Sequence, residues 1–134
     1  MVANDKSAQT LGTLYGFELP GLVYKDIKGV QTYYSASTKL SHQLLRAIAM
    51  KAGVHIYNDI DDGTFVNKSF VSIHTVRGGK RTLSFPAPVN LYDVYNDKSV
   101  VVNNKQVTIE LPVRTTALYF IGTELQWKSN SKVK

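Results

Sequence analysis

The sequence predicts an α+β fold that is mostly antiparallel β, with short strands and one amphipathic helix leading into a β-sandwich-like domain. Short runs of β-branched and aromatic residues, separated by turn residues, fill most of the 134 residues. Only residues 38–52 carry apolar side chains at a helical period. The chain has no cysteine, which excludes disulfides, thiolate zinc sites and a cysteine nucleophile.

Three strands are predicted first, in the segments QTLGTLYG, GLVYKDI and VQTYYSA. They are rich in β-branched and aromatic residues, and the turn signals FELP and Lys28-Gly29 separate them. This part of the chain should therefore form a small set of strands before the helix begins.

The segment TKLSHQLLRAIAMKA, residues 38–52, predicts an amphipathic helix. Ser37 or Thr38 can cap its start, and Gly53 suits the left-handed residue that ends it. The apolar stripe consists of Leu40, Leu44, Leu45, Ile48 and Ala52. We expect the three leading strands to cover this stripe, so that Leu45→Ala would cost about 2–5 kcal/mol of stability. In the alternative, a parent domain covers the stripe, which would then be partly exposed in this chain and would make it self-associate or be poorly stable.

After Gly53 the pattern predicts antiparallel strands only. A hairpin is expected around a three-residue loop, Gly78 to Lys80, which would pair Ile73 with Phe85. This register gathers four apolar residues on one face: Val71, Ile73, Leu83 and Phe85. A second tight hairpin is predicted at Asn103-Asn104.

These patterns predict a strand-and-helix segment over 1–53, an antiparallel β-domain over 54–127 and a polar tail over 128–134. No run of 18 apolar residues is present, so no transmembrane helix is predicted. The polar start MVANDKSAQT has no apolar core, so we expect no signal peptide in this chain and a soluble protein.

The stretch AGVHIYNDIDDGTF combines His55 with Asp59, Asp61 and Asp62. An EF-hand calcium loop fails, because counting from Asp59 puts Thr64 at the sixth position and Phe70 at the twelfth. Asn, Asp and Gly are also the residues that a turn between strands requires. A turn is favoured, with a loose cation site or catalytic carboxylates as alternatives.

Histidines 42, 55 and 74 do not have the spacing that aligns a zinc site, and no nucleotide-binding or nucleophile-elbow motif occurs. We therefore predict no metal and no cofactor. One alternative function remains from these residues: a small hydrolase that uses His55 with Asp59 or Asp61.

The formal net charge is +6, and Lys128, Lys132 and Lys134 supply half of the excess. A tight basic cluster flanks the Gly-Gly turn and predicts a weak polyanion site at Arg77, Lys80 and Arg81. A stand-alone binding module for nucleic acid or another polyanion is therefore a second alternative, although nucleic acid is the less expected partner.

Aromatic residues suggest a different ligand class, because exposed rings on a β-sandwich can stack on sugar faces. Most of the rings lie in dense apolar strands and should be core. The rings of Tyr57, Tyr92 and Trp127 are less obviously buried, and they are the predicted carbohydrate contacts.

Three runs of the chain resemble the C-terminal region of bacterial β-galactosidase-like glycoside hydrolases. They are LLRAIAMKAGVHIYNDIDDGTFVNKSFVSIHT, GGKRTLSFPAPVNLYDVYNDKSVV and LPVRTTALYFIG, and the resemblance covers about residues 9 to 122. In that family the first run closes a glutamine-amidotransferase-like domain, and a small all-β domain follows.

The resemblance implies a bacterial accessory or carbohydrate-binding module rather than a catalytic one. In such enzymes the catalytic carboxylates lie in a (β/α)₈ barrel of about 250 residues, which this chain is too short to contain. No family catalytic residue is carried onto this sequence. The implied partners are parent glycosidase domains or a like subunit, with glycan as a further contact and no membrane.

Overall fold

The computed structural model describes residues 3–130, which form eight β-strands and two α-helices. Contacts divide the chain into two units, one ending at Leu45 and the other beginning at Arg46. The division falls within the first helix, and the predicted boundary at residue 53 stays a prediction. None of the helices in residues 3–130 is long and apolar enough to cross a membrane.

The first unit contains a three-stranded antiparallel sheet in the order β1-β2-β3. Its strands are β1 Gln9–Thr13, β2 Pro20–Ile27 and β3 Val30–Ser35. Lys28 and Gly29 both have positive φ, 54° and 86°, and form the two-residue turn between β2 and β3. The three strands predicted from sequence are confirmed.

Helix α1 spans His42–Lys51, which is shorter than the predicted 38–52. The Ser41 hydroxyl accepts a hydrogen bond from the Leu44 N–H, so Ser41 caps the helix in place of the predicted Ser37 or Thr38. Gly53, with φ of 72°, ends it as predicted, and the Val54 N–H reaches back to the Ala49 carbonyl.

The apolar stripe of α1 is not covered as the sequence led us to expect. No residue of the helix is buried, and Leu45 is 50% exposed. Because the Leu45 side chain keeps half of its contact with water, the structure does not support the large stability cost expected for Leu45→Ala.

The second unit contains a five-stranded antiparallel sheet in the order β4-β5-β8-β6-β7. Its strands are β4 Gly63–Val66, β5 Phe70–His74, β6 Gly79–Asp93, β7 Lys98–Leu111 and β8 Thr116–Ile121. The predicted fold class, α+β and mostly antiparallel with a sandwich-like β-domain, is confirmed.

The hairpin predicted around Gly78 to Lys80 is wrong in its pairing. Strand β5 pairs with β4 and β8, so Ile73 lies opposite Ala117 rather than Phe85. The predicted buried face is nevertheless present, since Val71, Ile73, Leu83 and Phe85 are all buried. Alternation along each strand identified the buried face, but it did not identify the neighbouring strand.

The hairpin predicted at Asn103-Asn104 is also wrong. Both residues lie inside the continuous strand β7, which forms one long hairpin with β6 through the turn at residues 94–97. Asn103 has φ of 48°, and its N–H donates to the Asn90 side chain where the register of the two strands shifts. The Asn pair therefore marks a bulge and not a chain reversal.

The two faces of β8 have different surroundings. Ala117 and Tyr119 belong to the main core, together with Leu91 of β6. On the opposite face, the ring of Phe120 contacts the ring of Trp127. Trp127 belongs to helix α2, which spans Glu124–Asn130.

Helix α2 was not predicted, although its start has a recognisable capping box. The Gln126 N–H donates to the Thr123 hydroxyl, and the Thr123 N–H donates to the Gln126 side chain. Residues 128–130 of the predicted polar tail belong to this helix, and residues 131–134 lie outside the described residues, so the tail boundary at residue 128 stays a prediction.

Candidate functional site

The acidic loop NDIDDG is held by a buried ion pair. The Arg81 guanidinium donates from Nε to Asp62 Oδ2 over 2.7 Å, and both side chains are almost completely buried. Its other nitrogens donate to the carbonyls of Gly79 and Arg77. Asn58, which is also buried, adds a weaker hydrogen bond from its amide to Asp62.

Backbone and exposed contacts secure the other two aspartates of the loop. Asp59 Oδ1 accepts from the Thr82 N–H at 2.8 Å. Asp61 accepts from Arg46, whose second nitrogen donates to the Asn58 carbonyl at 2.7 Å. These contacts support the turn interpretation of the loop, because each carboxylate has a structural partner.

Within residues 3–130, no group of three or more His, Asp or Glu side chains is arranged to hold a metal ion. Two of the three histidines, His55 and His74, have hydrogen-bond partners on strands β6 and β8. His55 Nε2 lies 2.8 Å from the Ser84 carbonyl, and His74 Nδ1 lies 2.8 Å from the Thr116 hydroxyl. Neither of these two histidines is hydrogen-bonded to an aspartate of the loop. The structure therefore shows no hydrogen bond between His55 and Asp59 or Asp61.

The predicted polyanion residues Arg77, Lys80 and Arg81 do not act as one cluster. Arg81 is 1% exposed and neutralised by Asp62, which corrects its assignment as a polyanion contact. Lys80 lies directly opposite Glu110 in the β6–β7 register, so an acidic neighbour offsets its charge. Arg77 is exposed.

The predicted carbohydrate contacts fall into two separate groups. Tyr57 is half-buried and makes edge contacts with the rings of His55 and Phe85. Tyr92 and Trp127 lie together in an aromatic cluster under α2, with centroids 6.5 Å apart.

Tyr92 is fully buried, so its ring has no free face and its assignment as a sugar contact is corrected. Its hydroxyl donates a hydrogen bond to Asp97, and that carboxylate raises the pKa of Tyr92 to about 12. Trp127 is half-buried against the rings of Phe70 and Phe120. Helix α2, absent from the sequence prediction, is the reason for this packing.

A cleft of about 450 Å³ that the sequence did not predict lies in the second unit. The turn between β6 and β7, the end of β7 and the start of β8 form its walls. Asp93 and Tyr119 line it and are paired across β6 and β8, which places their side chains on the same face of the sheet. Tyr95 stands at the cleft and is 63% exposed.

The Asp93 carboxylate is oriented by its own turn. Its Oδ1 accepts from the N–H groups of Tyr95 and Asn96, and its Oδ2 accepts from the Asn96 side-chain amide at 2.8 Å. Sequence reasoning placed most of the aromatic rings in the core and gave Asp93 no functional role. The segment DVYND does contain an Asx-turn signal, which could have indicated an oriented carboxylate at this position.

Comparison with known proteins gives one structural relationship. No protein-family model matches the chain. No curated protein matches it either. Among solved structures, it is similar to β-galactosidase from Bacillus circulans sp. alkalophilus, with a TM-score of 0.56 and 17% identity. The match covers 87% of this chain and 18% of that chain, so this chain spans less than a fifth of the enzyme's length. At this identity the likeness is one of fold, and the chain has a fold relationship to β-galactosidase-like proteins.

Proposed function

We propose that this chain is a non-catalytic accessory module related to glycoside hydrolases, which packs against parent glycosidase domains or a like subunit and contacts glycan. The fold likeness to a β-galactosidase carries the proposal. Because the likeness involves at most the 134 residues of this chain, it concerns a part too small to be a complete (β/α)₈ barrel of about 250 residues.

The contacts of the acidic loop support the non-catalytic part of the proposal. A glycosidase needs two carboxylates on either side of a substrate bond. Here Asp62 is buried in an ion pair with Arg81, and Asp59 is bound to a backbone N–H. Asp61 is exposed and forms an ion pair with Arg46.

The exposed apolar side chains of residues 3–45 support the packing part. Val23 is the only large apolar side chain that is buried there. Eight others are exposed: Leu11, Tyr15, Phe17, Leu19, Ile27, Val30, Leu40 and Leu45. A three-stranded sheet needs a covered apolar face for stability, and a second protein surface would supply that cover.

The test of the non-catalytic part is an assay of the purified chain with o-nitrophenyl β-D-galactopyranoside. We expect no turnover above the buffer rate. Turnover that survives a second, different purification and disappears in Asp61→Ala would overturn the proposal and favour the hydrolase alternative. Asp61→Ala is suitable because the residue is exposed, so its replacement should leave the fold intact.

A further inference from the structure

We infer that the cleft lined by Asp93, Tyr95 and Tyr119 binds a neutral carbohydrate ring. The inference rests on the proposed function only for the choice of carbohydrate among neutral polyhydroxy compounds. The cleft volume of about 450 Å³ lies within the range of about 300–1,000 Å³ that small-molecule sites occupy.

The Tyr119 hydroxyl is the first observation that points to a ligand. The residue is 2% exposed and its hydroxyl has no hydrogen-bond partner within residues 3–130. Every fully enclosed side-chain polar atom described in the structure does have a partner, so the Tyr119 hydroxyl must meet solvent. The surface that Tyr119 lines is the cleft, and the hydroxyl is therefore available to a molecule bound there.

The protonation state of Tyr119 makes it a hydrogen-bond donor at neutral pH. Burial raises its pKa to about 12, and the nearby Asp93 charge contributes in the same direction. Asp93, in contrast, offers carboxylate oxygens that accept hydrogen bonds. A donor beside an acceptor matches adjacent sugar hydroxyls, each of which can accept one hydrogen bond and donate another.

The remaining lining residues favour a neutral ligand over an ion. Asp93 and Glu110 would repel an anion, and Lys98 would repel a cation. The exposed ring of Tyr95 adds an apolar surface against which the C–H face of a pyranose could pack. An anion would therefore meet two charges of its own sign and a cation would meet one, whereas a neutral ring would meet none.

The effect of removing the Tyr119 hydroxyl separates binding from stability. The hydroxyl makes no hydrogen bond within residues 3–130, so Phe would fill the same space without breaking one. We therefore expect Tyr119→Phe to fold as well as the wild type or slightly better, while losing affinity for the ligand. If Tyr119 had only a structural role, Tyr119→Phe would not lose ligand affinity while keeping its stability.

The test is an NMR titration of the ¹⁵N-labelled full chain with methyl β-D-galactopyranoside, lactose and methyl α-D-glucopyranoside. We expect saturable shifts at the amides of Tyr95, Asn96 and residues 115–117 with at least one sugar. Tyr119→Phe should weaken that binding about tenfold, since the buried Asp93–Tyr119 pair then lacks its donor. Tyr15→Phe removes a phenol hydroxyl from an exposed residue that does not line the cleft, and it should have no effect.

Three outcomes would overturn the inference. They are no saturable shift with any of the sugars at 100 mM, binding that neither Tyr119→Phe nor Tyr95→Ala weakens, and saturable shifts with the cationic probe spermidine alone. Tyr95→Ala changes an exposed residue, so it still provides a test if Tyr119→Phe fails to fold. These measurements do not depend on enzymatic activity. An absence of sugar binding at the cleft is therefore distinguishable from a failure of the proposed accessory function.

Discussion

At the scale of single residues, the carboxylates that looked chemical in the sequence each have a partner within the fold. Asp62 and Arg81 form a buried pair, and the guanidinium also donates to two backbone carbonyls. A pattern of Asp, Asn and Gly indicates a turn, but it does not identify the distant arginine that completes the turn. The partner lies 19 residues further along the chain, on β6.

The buried pair gives a stability prediction. Asp62→Ala should lower the free energy of unfolding by about 3–5 kcal/mol, because it leaves the Arg81 charge buried and uncompensated. The matched control is Asp61→Ala, which removes a partly exposed partner of Arg46 and should cost at most about 1 kcal/mol. Urea unfolding followed by circular dichroism measures both. Equal costs for the two variants would contradict the structural role assigned to the buried pair.

At the scale of elements, local signals located most strands and the end of α1, but not the strand partners. Gly53 ends the helix as its conformational freedom predicts. The Gly78 to Lys80 loop was assigned to a hairpin, whereas β5 pairs with β8 about 45 residues further on. Alternation of apolar residues along a strand is compatible with several partner strands. Which strand becomes the partner depends on packing of the whole sheet.

The exposure of α1 gives a prediction at this scale. Leu45→Ala should change the free energy of unfolding by less than about 1 kcal/mol, because Leu45 is already 50% exposed. Ile73→Ala, at a fully buried core position, should cost about 2–5 kcal/mol. If chemical denaturation shows Leu45→Ala to be as costly as Ile73→Ala, then the helix stripe is covered in solution.

At the scale of the whole molecule, the two units differ in how much apolar surface they bury. The second unit encloses a core of eight buried residues drawn from β5, β6, β7 and β8. Among residues 3–45 of the first unit, one large apolar side chain, Val23, is buried and many are exposed. Such an imbalance is typical of a surface that another protein covers, and it is the physical basis of the proposed packing role.

This imbalance predicts self-association of the isolated chain. Light scattering coupled to size-exclusion chromatography should show a mean mass that rises with protein concentration. The double variant Tyr15→Ser, Phe17→Ser should reduce that rise, because both side chains are exposed in the first unit. Val102→Ser, which alters an exposed apolar residue of the second unit, is the matched control and should not. A wild-type chain that stays monomeric at every concentration would contradict packing against a like subunit.

The sequence by itself determined the fold class, the three leading strands, the helix end at Gly53 and the buried face shared by Val71, Ile73, Leu83 and Phe85. These features depend on periodicity and on the conformational preference of single residues, which are local properties. It also indicated that NDIDDG is a turn, since Asn, Asp and Gly favour turns wherever they occur.

Only the tertiary structure decided which residues meet. It paired Arg81 with Asp62, covered Tyr92 with α2, and placed Asp93 beside Tyr119 in a cleft. Each of these outcomes joins residues that are distant in sequence, and their side chains come together through sheet order and register. Sheet order and register depend on the combined burial of all the strands, which no local stretch of the chain specifies.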